Sequence, residues 1–157
     1  MKKKRVVIIS LLLLLVSVIG ISSYFLFKDK INLLDVDHSA VDWNGTKQKD
    51  TSGEENTIAI PGFEKVTLYA NETTQAVNFH NPEINDCYFK ISLIHPDGSV
   101  LWISDLIEPG KGMYSIELEK TLAVGEYENA VLKYECFSLN DQSPLNGSEI
   151  NLKLVVV

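Results

Sequence analysis

The sequence predicts an all-β fold, an antiparallel β-sandwich of about seven or eight strands, preceded by one N-terminal transmembrane helix. Three observations carry this. Residues 6–27 are a 22-residue run without a charge. From residue 57 onward, short runs of alternating apolar and polar residues are separated by turn residues every 8–12 positions. No amphipathic helical pattern intervenes, since 122–126 is short and contains Gly125.

At the amino terminus, Lys2, Lys3, Lys4 and Arg5 form a basic stub (1–5) that precedes the apolar run. A 22-residue helix is about 33 Å long, enough to cross a hydrocarbon core of about 30 Å. The basic cluster orients such a signal-anchor with its carboxyl-terminal side outside, so the lipid bilayer is the expected partner of residues 6–27. Were the segment cleaved as a signal peptide, the remainder would be secreted. The expected location is therefore the cell membrane, single-pass, with the carboxyl-terminal domain outside. The short basic-plus-apolar segment reads as bacterial.

Residues 28–56 read as a flexible stalk. Apolar residues in 31–43 are mixed with Asp35, Asp37 and Asp42, and 44–56 has no large apolar side chain. The domain proper is then 57–157. Expected strands are 57–60, 65–70, 75–80, 87–94, 99–104, 113–119, 127–138 and 149–157. His95-Pro96-Asp97-Gly98 and Pro109-Gly110-Lys111-Gly112 mark two of the turns. The longest loop expected is 140–147. Alternation assigns the inward face to Cys87, Phe89, Ile91 and Leu93; to Tyr114, Ile116 and Leu118; to Ala130, Leu132, Tyr134 and Cys136; and to Ile150, Leu152, Leu154 and Val156.

The net charge of −7 divides into +5 over residues 1–30 and −12 over residues 31–157. An acidic body lacks the clustered Lys/Arg that phosphate contacts require, so nucleic acid is excluded as a partner.

Cys87, Trp102 and Tyr134-Glu135-Cys136 follow an order similar to the Cys, Trp, Tyr-x-Cys order of immunoglobulin-like domains. Leu122-x-x-Gly125-x-Tyr127 resembles the lead-in to the sixth strand of bacterial surface sandwiches. The resemblance covers 57–157 and implies an immunoglobulin-like sandwich of a membrane-anchored surface protein. Cys87 opens the fourth expected strand rather than the second, so the inter-sheet disulfide of antibody domains does not transfer. In such a topology the Cys87 and Cys136 strands would be antiparallel neighbours with both side chains inward. A disulfide and two buried thiols both remain open.

Chemistry-bearing patterns are sparse. His38, His80 and His95 are the only histidines, and His80 with Glu83 and Asp86 lacks the ligand spacing of a known metal class. No nucleophile elbow or phosphate-binding glycine loop occurs. The expectation is no catalytic activity, no metal and no cofactor. Tyr69, Tyr88, Trp102 and Phe137 are the candidate binding surface, as outward or ambiguous aromatics on half-apolar strands. The expected function is an extracytoplasmic interaction or accessory module with an envelope or cell-surface protein partner. A second expectation is an inhibitor or chaperone-like domain acting through loop 140–147.

Overall fold

A computed structural model describes residues 33–45 and 57–157. The expected helix over 6–27, the basic stub and the segments 28–32 and 46–56 lie outside the described residues. Eight strands follow in order: β1 (Val41–Asp42), β2 (Lys65–Leu68), β3 (Thr74–His80), β4 (Cys87–Ile94), β5 (Val100–Ile103), β6 (Lys111–Glu117), β7 (Gly125–Ser138) and β8 (Pro144–Val156). No helix occurs among the described residues.

Two sheets form. One has the order β1-β6-β3 and the other β2-β8-β7-β4-β5. Their inner faces enclose a core that includes Leu68, Phe79, Phe89, Ile91, Leu93, Leu132 and Leu154, all buried. Phe89 meets Tyr134 edge to face, with ring centroids 5.3 Å apart. Named strand pairs are antiparallel except β2 with β8, which run parallel from Lys65 opposite Lys153 to Leu68 opposite Val156. The purely antiparallel expectation therefore fails at one edge.

Alternation placed most inward residues. All four expected on β4 and all four on β7 are buried. On β6 the parity slips: Met113 is buried and Tyr114 is exposed, the reverse of the sequence reading. The register between β3 and β6 shifts between Ala76 and Phe79, and Tyr114 with Ser115 both face outward there. An irregularity of this kind re-aims every side chain beyond it. A similar shift between Leu93 and Ile94 buries both Leu101 and Trp102 on β5.

Two expected elements also change. Residues 57–60 form no strand, because the Asn85 side chain takes both backbone groups of Ala59, at 2.8 and 2.9 Å. The loop expected over 140–147 shrinks, since β8 already begins at Pro144. What remains is a tight hairpin end in which Gln142 N–H donates to the Ser138 carbonyl and Ser138 N–H to that of Ser143. Gly147 lies within β8 at the register shift between Tyr134 and Cys136, where a side chain would run into the Tyr134 carbonyl.

The largest difference concerns the expected stalk. Residues 34–45 join the domain as a strap. Gln142 fixes its start, accepting from Leu34 N–H at 2.6 Å and donating to the Leu34 carbonyl at 3.0 Å. Val36 bridges Leu106, with Asp37 N–H donating to the Leu106 carbonyl and Leu106 N–H to that of Asp35. Val41 and Asp42 then pair with Gly112 and Lys111 as β1.

Candidate functional site

The strap ends over the outer face of the three-stranded sheet, and there it builds a concavity. Trp43 stacks on His80 of β3, with ring centroids 3.8 Å apart and planes 8° from parallel. His80 is buried as a result, although it lies on the sheet's outer face. This requires glycine at position 112. A methyl group there would sit 2.8 Å from the Trp43 ring and 2.9 Å from the Phe79 carbonyl oxygen. Trp43 Nε1–H also donates to Asn78 Oδ1 at 2.7 Å.

The residues on either side tie down the same end. Lys111 Nζ contacts Asp42 Oδ1 at 2.5 Å, and this hydrogen bond and charge hold the Asp42 carboxyl below the usual carboxylate range. Asn44 N–H donates to the Tyr114 hydroxyl at 2.9 Å, and that hydroxyl donates to Asn44 Oδ1 at 2.8 Å. Between this strap end and the opposite wall of Glu83, Ile84 and Pro109 lies a cleft of about 530 Å³. Asp42, Trp43 and Asn44 are thus held by neighbours of their own chain. The cleft is a shaped surface of aromatic, apolar and amide groups with Glu83 at its wall.

The aromatics expected as one binding surface do not form one. Tyr88 and Phe137 are directly opposed on β4 and β7, both half-buried on the outer face of the five-stranded sheet. Tyr69 is exposed just beyond β2. Trp102 is only 7% exposed and stacks on Phe79 at 5.8 Å, so it belongs to the core.

Cys87 and Cys136 are buried free thiols on neighbouring antiparallel strands. They are offset diagonally, Cys87 opposite Ser138 and Cys136 opposite Phe89. The hydrogen bond with Cys87, together with burial, raises the Cys136 thiol above its ordinary value. Among the described residues no group of three or more His, Cys, Asp and Glu is arranged to hold a metal, and His80, Glu83 and Asp86 do not converge.

Sequence reasoning missed Trp43, Gly112 and Gln142. One signal was present: a tryptophan in a stretch read as solvated linker is out of place, because so large a ring is seldom left in water. No protein-family model and no curated protein sequence matches the chain.

Proposed function

We propose that the chain is a membrane-anchored, extracytoplasmic interaction module built on an immunoglobulin-like sandwich, with no catalytic activity of its own. The observation that carries this is the strap. The polar groups of Asp42, Trp43 and Asn44 are engaged in holding its end to the sheet, so the surface they shape offers form and edges to a partner rather than a reactive constellation. The acidic body suits a protein partner in the envelope or at the cell surface.

Two features support the immunoglobulin-like reading. In that fold strands C, F and G lie together in one sheet and B pairs with E in the other. Here β4, β7 and β8 are successive neighbours, and β3 pairs with β6, which follows if β3, β4, β6, β7 and β8 take those five places. Tyr127, near the start of β7, donates its hydroxyl proton to the Ala123 carbonyl at 3.0 Å, a return bond like that of the tyrosine corner before strand F, although it lies nine residues before Cys136 rather than two. Trp102 departs from the pattern, lying on β5 rather than on the strand in the C position.

The anchor is residues 6–27. The test has two readouts on intact cells. A Val124→Cys variant, at a position 71% exposed, is labelled by a membrane-impermeant maleimide, and an amine-reactive crosslinker converts the chain into a discrete heteromeric species. Labelling only after lysis, or a chain that stays uncrosslinked, overturns the proposal.

A further inference from the structure

We propose that the open edge of β6 is a strand-addition site for an extended, basic segment of a partner protein. The inference rests on the interaction reading above and names the surface and the partner's chemistry.

A sheet edge presents unpaired backbone groups, and folded domains normally block them. Three of the edges here are blocked or interrupted. On β5, Glu119 N–H donates to the Leu101 carbonyl. β2 is only four residues long, and just beyond it the Gln75 side chain takes both backbone groups of Tyr69, at 2.7 and 2.8 Å, so this edge is short and closed at its end. The register shift breaks β3 at Val77 and Asn78.

The fourth edge is different. Among the described residues, β1 pairs with β6 only at Lys111 and Gly112, and no strand pairs with Met113 to Glu117 on that side. Leu118 N–H donates to the Thr73 carbonyl at 2.8 Å, toward β3. Alternation along an antiparallel strand then turns the backbone groups of Glu117 and Ser115 away from β3, toward the open side.

A groove of about 510 Å³ runs along that side. Asp37, Ser39 and Val41 of the strap form one wall, Tyr114 to Glu117 the other, and Trp102 and Met113 line its depth. Val41 and Tyr114 are exposed, giving apolar contact for alternate side chains of an added strand. The short strand β1 already pairs antiparallel on this edge, so an incoming segment would continue an existing ladder. Strand addition of this kind draws affinity from main-chain bonds and selectivity from alternate pockets.

Charge decides the occupant. Asp37 and Glu117 line the groove; Asp37 accepts from Ser39 and from Asp105 N–H, and Glu117 from the Thr74 hydroxyl, but among the described residues neither charge is paired with a Lys or Arg. With −12 over residues 31–157, a second copy would bring acid against acid. A segment with Lys or Arg flanking an alternating apolar stretch is complementary.

The test uses the full-length chain in zwitterionic micelles and one probe, the capped peptide Lys-Thr-Val-Thr-Val-Thr-Val-Lys. Saturable binding is expected, with amide exchange at Ser115 and Glu117 slowed about tenfold or more at saturation. Replacing both lysines by Glu, or N-methylating alternate peptide nitrogens, should weaken binding about tenfold or more. Ser115→Pro should do the same; if that variant fails to fold, the N-methylated peptide carries the comparison. No saturable binding at millimolar peptide, equal binding of the N-methylated peptide, protection on another strand, or peptide-independent dimerisation each overturns the proposal. A partner crosslinked to the outer face of the five-stranded sheet would overturn this site while leaving the interaction reading standing.

Discussion

Trp43→Ala tests whether the strap belongs to the fold. A tryptophan side chain buries roughly 150–250 Å² when fully covered. Trp43 is half-buried, so about 100 Å² returns to water, worth about 2.5 kcal/mol at ~25 cal/mol/Å². Loss of the stack on His80 adds about 1 kcal/mol, and loss of the bond to Asn78 up to about 1 more. The strap is held elsewhere by Gln142 and by the bridge to Leu106, so the loss should appear as local opening. At about 1.4 kcal/mol per decade, about 4 kcal/mol is a two- to three-decade fall in protection. The assay is native-state amide exchange on the full-length chain. Trp43 has become Ala in the variant, but the amide at that position still reports, bonded in the wild type to the Gly110 carbonyl. Asp37 and Leu106 report on the bridge, and Ala130 to Tyr134 on β7 serve as the reference. Strap amides should exchange about a hundredfold faster or more, with the β7 amides unchanged. Strap protection within about threefold of wild type would refute the reasoning, as would uniform loss across both sheets.

Other consequences follow from single positions. Gly147→Ala forces a methyl group into the Tyr134 carbonyl, so β7 and β8 must separate locally; a loss of about 2–3 kcal/mol is expected in denaturant titration, and a loss below 0.5 kcal/mol would contradict the geometry. The buried Tyr134 hydroxyl has no hydrogen-bond partner among the described residues, and burial raises its phenol above the ordinary value. Tyr134→Phe should therefore raise stability by about 1 kcal/mol, and a lower melting temperature would count against this. Asp42 is held below its ordinary value by Lys111, so its contribution is present above the unfolded carboxylate value near 4 and is lost as pH falls through the lower folded value. The indole resonance of Trp43 should shift in that acid window, and Asp42→Asn should flatten the transition.

Much of the five-stranded sheet was legible because β4 and β7 keep a strict two-residue period over long stretches. There, one face must be buried and a slip would expose it entirely. The pairing of the two cysteine-bearing strands came from the immunoglobulin-like resemblance rather than from periodicity, and their diagonal offset is set by register that no local pattern encodes. The strap was not legible. A two-residue strand carries no periodicity, and its attachment depends on partners far along the chain: Gln142 lies 108 residues from Leu34, and Tyr114 lies 70 from Asn44. Met113 and Tyr114 were exchanged because an irregularity advances the chain by one position without a sequence mark. Likewise Asn146-Gly147-Ser148 looks like a turn, yet Gly147 is required by the close approach of the Tyr134 carbonyl inside a continuous strand.

The measurement that bears most directly on the interaction reading is site-specific photocrosslinking on intact cells, with a benzophenone side chain placed singly at Tyr69, Tyr88, Tyr114 and Phe137. These positions sample the rim of β2, the outer face of the five-stranded sheet and the open edge of β6. A module that works by binding predicts one dominant crosslinked partner, strongest from Tyr114, with little from Tyr69. Four positions that remain uncrosslinked while the chain is outward-facing and folded would contradict the account.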